Sequence, residues 1–184
     1  MQIAVLAEGK SGERRVSASP DTIKAYVKKG LSVGVQAGAG AGAHISDDAF
    51  AAAGASIIKT EAGLKTADIV LSVRRPSDAA LKSLKKGAVV AAGLDPYGDR
   101  KALDAMAKTG LTLFAMELMP RITRAQSMDI LSSQSNLAGY KAVIDAAAQY
   151  GRAFPMMMTA AGTVPPAKVF VMGVGVAWQL NRRR

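Results

Sequence analysis

The chain is predicted to be an α/β protein built on a mainly parallel sheet with helices on both faces. Three observations point there. Short apolar runs alternate with amphipathic stretches through residues 1–115, the rhythm of repeated strand–helix–strand units. The apolar runs are near-continuous, as strands buried on both faces should be. The breaks between them carry helix punctuation: Ser, Asp and Pro at the starts, Gly at the ends.

Residues 3–6 are expected as the first strand. Ser19 then caps a helix, with Pro20 suited to its first position and Asp21 complementing its dipole. Ile23, Tyr26 and Val27 give that helix an apolar face, and Gly30 ends it. Residues 31–35 form the next strand, and the glycine-rich turn 38–42 leads to a second helix start at Ser46, Asp47 and Asp48. Strands are expected over 55–58, 68–73 and 87–92, with a helix over 77–84. A helix over 99–108, closed by Gly110, leads to a strand over 111–115.

From Ser127 the period changes to one long helix reaching Gln149, with Leu137, Tyr140, Val143, Ile144 and Ala147 at helical spacing. Gly139, Ala142 and Ala146 permit close approach of another backbone, and Gly151 and Pro155 mark the end. Met156, Met157 and Met158 are expected to fill core space in a loop over 156–166. A strand over 168–172 follows. The domains expected are therefore 1–125, a linking helix over 126–151, and 152–184 as the start of a second sheet domain.

Composition bounds the chemistry. There is no Cys and one His, which removes disulfides, thiolate sites and a Cys nucleophile and leaves little for a His-based triad. The net charge is +10, three of those charges being Arg182, Arg183 and Arg184. This reads as a solvated basic surface or as attraction to anions, nucleotide phosphates or an acidic membrane face among them. Basic residues are not interleaved with aromatics, so a nucleic-acid partner is not expected. No apolar run reaches the length of a membrane span, and the cytosol is the expected compartment.

Two segments carry candidate chemistry. The first is the polar stretch at the start of the long helix. Arg121 offers a forked donor for a phosphate or an amide oxygen, Gln126 both donates and accepts, and Asp129 can orient Arg121 or accept from a carboxamide. Ser127 and Asp129 serve equally well as plain helix caps, and the arginines as a solvated patch. The second is the Gly173-x-Gly175 turn after an expected strand, the setting of a dinucleotide fingerprint, although Trp178 stands where a third glycine belongs. His44 reads as a surface residue, while Arg14 and Arg15 either meet an anion or lie exposed.

The sequence also resembles a family along nearly its whole length: the NAD(H)-binding alpha-subunit component of proton-translocating nicotinamide nucleotide transhydrogenases. The resemblance is carried by Glu13-Arg-Arg-Val16, Ser19-Pro20, Gly38-Ala-Gly40, Val73-Arg-Arg-Pro76, residues 115–140, residues 152–166 and Gly173-Val-Gly-Val-Ala177. It implies a Rossmann-like fold. It also implies that Arg121, Gln126 and Asp129 serve hydride transfer at the nicotinamide end, that Ser127, Met128, Ile130 and Ser132 join them in contacting NAD(H), and that Gly173 and Gly175 carry the pyrophosphate. By the same resemblance NADP(H) sits on a partner domain, the NADP-binding beta subunit, and a membrane domain couples the transfer to proton movement. The component is then a homodimer, cytoplasmic and peripheral to the inner membrane.

Alanine dehydrogenase shares the superfamily, and the resemblance implies that it needs a Lys within 73–76 and a His near 92–94. Arg74 and Leu94 stand in those regions here. Residues 178–184 depart from the transhydrogenase pattern and read as an early stop, a frameshift or a cut fragment, so the isolated chain is expected to be inactive. An alanine-dehydrogenase-like oxidoreductase and a non-catalytic relic that dimerises through its long helix are the alternatives.

Overall fold

Val, Ile, Leu and Ala crowd the apolar runs, and in the computed structural model those runs become six strands: β1 (Gln2–Val5), β2 (Ser32–Gln36), β3 (Ser56–Ile58), β4 (Ile69–Arg74), β5 (Val89–Gly93) and β6 (Thr112–Ala115). Residues 1–120, 122–173 and 175 are described. The strands form one parallel sheet in the order β3-β2-β1-β4-β5-β6. The order reverses between β1 and β4, which creates a switch point at the strands' C-terminal ends.

Four helices cross over between strands: α1 (Pro20–Lys28), α2 (Asp47–Ala52), α3 (Asp78–Ser83) and α4 (Arg100–Ala107). The side chains of Ser19, Ser46, Ser77 and Asp99 cap them, accepting from Thr22, Ala49, Ala80 and Lys101 backbone N–H groups at 3.2, 3.2, 3.2 and 2.9 Å. Gly30 and Gly110 leave α1 and α4 in the left-handed region, at φ 78° and 72°, where a side chain would be strained.

The sheet is covered on both faces. Successive side chains of a strand point to opposite sides, so β1 splits its contribution. Ile3 and Val5 join a core with Ile23 of α1, Val35 and Phe50 of α2. Ala4 and the following Leu6 join another with Leu81 of α3, Val90 and Met106 of α4. Full burial of each large side chain here stabilises by about 1.5–3 kcal/mol.

The chain divides into two compact units, residues 1–119 and 120–184. In the second, α5 (Ile130–Tyr150) is followed by an antiparallel hairpin of β7 (Met157–Thr159) and β8 (Gly162–Val164). Three local expectations fail here. The long helix begins at Ile130 rather than Ser127, because residues 123–128 form a tighter 3-10 turn and Asp129 occupies the cap. Met157 and Met158 lie in the hairpin and are exposed, Met158 to 83%, since no covering layer lies over them among the described residues. Residues 168–172 are not a strand. Their apolar composition favours one, but a strand needs a hydrogen-bonding neighbour, and the described residues offer none.

Candidate functional site

The polar segment ahead of α5 forms a tight arc. Gln126, Ser127 and Met128 are exposed on the 3-10 turn, with Ala125 buried beneath them. Asp129 turns the chain into α5. Its Oδ1 accepts from the Leu131 and Ser132 N–H groups at 2.9 and 3.1 Å, and its Oδ2 accepts from the Ser132 hydroxyl at 2.6 Å. The Ser133 hydroxyl donates to the Asp129 carbonyl at 3.0 Å. Two of the helix's otherwise unpaired N–H groups are satisfied, and the carboxylate lies at the positive end of the helix dipole.

This arc brings together Gln126, Ser127, Met128, Asp129, Ile130 and Ser132, with Met128 and Ile130 presenting apolar surface beside the polar groups. Chemically the segment offers an amide that can both donate and accept, a carboxylate fixed by its cap bonds, and exposed apolar side chains. Asp129 is a cap, as one sequence reading has it, and the same bonds fix its position for any further contact. Arg121, expected as the charged donor, lies outside the described residues.

The glycine turn is a separate feature of the second unit. Gly173 has φ 89°, the left-handed conformation that favours glycine. Among the described residues no atom lies within 4 Å of where a Cβ would stand on either Gly173 or Gly175. The backbone is therefore open to close approach, as a pyrophosphate cradle needs. Trp178 lies outside the described residues.

Sequence reasoning missed a second cluster, at the switch point of the first unit. Glu8 accepts from Ser72 Oγ and Val73 N through one carboxylate oxygen (3.1 and 2.6 Å) and from Arg74 N through the other (3.1 Å). Glu13, its side chain only 7% exposed, is forked by Arg15 at 2.7 Å to each oxygen and reached by Arg74 Nε at 3.1 Å. The Arg15 guanidinium, with help from Arg74, holds the Glu13 carboxyl well below its ordinary range, at about 2. Both arginines are thus engaged with an internal carboxylate. Glu117 similarly accepts from the Asp95 N–H at 2.6 Å, and Asp95 sits at φ 54°. Glu8 and Glu13 stand out in the sequence as acids following the first strand, but their partners across the β1–β4 pairing do not.

Among the described residues no group of three His, Cys, Asp or Glu side chains could hold a metal. No helix among them is long and apolar enough to cross a membrane.

Comparison with known proteins shows the family. Residues 4–138 match the family described as alanine dehydrogenase/PNT, N-terminal domain, and residues 142–179 match the alanine dehydrogenase/PNT C-terminal domain. An NAD(P) transhydrogenase alpha-subunit protein of Rhodospirillum rubrum is 55% identical over 183 residues, covering 96% of this chain and 48% of that protein. A crystal structure of transhydrogenase from Sinorhizobium meliloti superposes with a TM-score of 0.93 at 56% identity, covering 98% of this chain and 54% of that one. The alanine dehydrogenase of Mycobacterium tuberculosis is 32% identical over 187 residues, with 96% and 48% covered. The chain spans about half the length of the relatives it matches. It belongs to the alanine dehydrogenase/PNT family, with much greater similarity to these transhydrogenase sequences than to that alanine dehydrogenase.

Proposed function

We propose that this chain is the portion of a proton-translocating transhydrogenase that grips NAD(H) by its nicotinamide end. The observation that carries the reading is the arc at the start of α5, where Asp129 fixes the helix entrance and holds Ser132 while Gln126 and Ser127 stay exposed beside it. Bound NADH would supply the hydride. The residues of the chain then bind and orient: Arg121, Gln126 and Asp129 hold the carboxamide, Met128 and Ile130 flank the ring and exclude water, and Ser127 and Ser132 supply polar contacts. The open turn at Gly173 and Gly175 receives the pyrophosphate. Direct hydride transfer needs orientation and a dry site more than it needs a nucleophile or a proton shuttle, so a chain with no Cys and one His is adequate.

On this reading the acceptor is NADP+ on a beta-subunit partner, a membrane domain couples the transfer to proton movement, and the component is a homodimer at the cytoplasmic face of the inner membrane. The long helix links the first domain to the nucleotide-binding domain that residues 152–184 begin. Alanine dehydrogenase chemistry is disfavoured because Arg74 is engaged with Glu13 and Leu94 is buried.

The chain spans about half the length of the relatives it matches, and by itself it should bind NADH more weakly than micromolar. Micromolar binding by calorimetry would contradict that. The full test is a chimera in which residues 1–184 replace the matching segment of the R. rubrum relative. Replacing Arg121, Gln126 and Asp129 together by Ala should cut hydride transfer by about 100-fold or more, the scale of a misplaced reacting group. Unchanged transfer and NADH affinity would overturn the site.

A further inference from the structure

Carboxylates are sorted along the strand direction in the first unit. All six strands are parallel, so all begin at one edge of the sheet. Backbone bonds knit that edge: Ser32 N to Met1 O at 3.2 Å, and Asp68 N to Gln2 O, Val89 N to Asp68 O, Gly87 N to Gly110 O and Thr112 N to Ala88 O, each at 2.9 Å. The segments entering it from the helices bring Lys28 and Lys29 at the end of α1, Lys82, Lys85 and Lys86 at and after the end of α3, and Lys108 capping α4. All six are exposed. Asp68 is the one carboxylate in these connections among the described residues, and it pairs with Lys85. Glu8, Glu13, Asp78, Asp95, Asp99 and Glu117 follow strands or begin helices at the opposite edge, where they offset the cations Lys10, Arg14, Arg15, Arg74, Arg75, Arg100 and Lys101, so the excess of positive charge lies at the lysine edge.

Helix dipoles account for some of this, since a cation at each helix C-terminus is favourable. They do not require two lysines at the end of α1 and three around the end of α3. With strands about 4.8 Å apart, the lysines from β2 to β6 span roughly 19 Å of one face. We infer that this lysine edge of the first unit docks on an anionic lipid bilayer.

The side-chain chemistry selects that partner. Protein interfaces are depleted in Lys and anchored by Trp, Tyr and Arg, whereas this cluster is all lysine. Nucleic-acid recognition leans on Arg forks and aromatic stacking, and neither is present in the cluster. A charged bilayer asks only for cations spread over a face, whose attractions add lysine by lysine within a Debye length. The inference deepens the membrane-peripheral placement proposed above and rests on it, but it is read with vesicles and no nucleotide, so either can fail while the other stands.

The test is sedimentation of the whole 184-residue chain with phosphatidylcholine vesicles, with and without 30% phosphatidylglycerol. Binding is expected to the anionic vesicles and to be lost in 0.5 M KCl, where the Debye length is about 4 Å. Replacing Lys28, Lys29, Lys82 and Lys86 together by Ala should weaken the partition at least tenfold. Replacing the same four by Arg should preserve it and shows that the fold survives. Removing as many cations elsewhere, by changing Lys10, Arg14, Arg100 and Lys101 to Ala, should change it by less than threefold. Equal behaviour of the two alanine quartets would overturn the inference, as would equal binding to neutral vesicles or tighter binding to a poly-glutamate peptide or an oligonucleotide.

Discussion

α1 and α5 carry apolar residues at the same helical spacing, yet they meet different fates. Ile23 of α1 is 0% exposed, and Phe50 beside it in the same core is likewise 0% exposed. In α5, Leu137 and Tyr140 are 58% and 60% exposed, and no residue of the helix is buried. The pattern that predicts a helix is thus separate from the burial that stabilises one. α1 is held by its core. α5 is held by length, by an alanine-rich run over 142–148 and by its two ends, Asp129 as N-cap and Gly151 at φ 71°. The contrast breaks most visibly in the cores. Phe50→Ala should cost about 3–5 kcal/mol in urea unfolding of residues 1–184, the usual range for emptying a buried aromatic site. Ile144→Ala in α5 should stay within about 0.5 kcal/mol, as exposed substitutions do. Equal costs would show that α5 shares a core with something.

Glycines sharpen the same contrast. A Cβ on Gly40 would stand 2.6 Å from the Ile45 carbonyl oxygen and 2.7 Å from the Phe50 ring. Gly40→Ala should therefore cost about 1–3 kcal/mol through overpacking. A Cβ on Gly175 meets nothing within 4 Å among the described residues. Gly175→Ala should leave the melting temperature unchanged, yet weaken NADH binding in the chimera if the turn holds pyrophosphate. A melting temperature equally lowered by both would remove the distinction between a packing glycine and a binding one.

The contrast also explains what could be read from the sequence. The strands and helices of the first unit were legible because burial, capping and stop signals agree there: Ser19, Ser46, Ser77 and Asp99 all cap. The errors gather in the second unit, where the apolar pattern is not matched by burial. Residues 168–172 look like a strand but lack a neighbour among the described residues, and the methionines over 156–158 look like core but are exposed. The polar arc was legible as a constellation because its members are contiguous. The Glu13 cluster was not, because Arg74 is reached only through the β1–β4 pairing, which one sequence does not display.

Glu13 ties that long-range pairing to pH. Its carboxyl lies at about 2 in the folded chain against an ordinary 4.5. A depressed acid contributes stability that is present above 4.5 and fades as pH falls toward 2. Its arginine partners are half-exposed, which limits the contribution to about 1–2 kcal/mol after solvent screening. Glu13→Gln should lower stability at pH 7 by that amount and flatten the acid limb between pH 4.5 and 2 in urea titrations. An unchanged acid limb would show that the cluster is electrostatically idle.

The smallest effect separates the two roles of Asp129. Asp129→Ala removes the acceptor for the Leu131 and Ser132 N–H groups and should cost about 1 kcal/mol of α5 stability, seen as fraying in hydrogen exchange at the first turn. Asp129→Ser keeps a capping oxygen and removes the carboxylate, so it should restore most of that protection. In the chimera the two should nevertheless lose NADH affinity alike if the proposed role is right, because a serine cannot carry the carboxylate charge that the proposal assigns to cofactor binding. If Asp129→Ser restores affinity along with protection, capping is all that Asp129 does, and the nicotinamide grip must be sought at Gln126 and Arg121 alone.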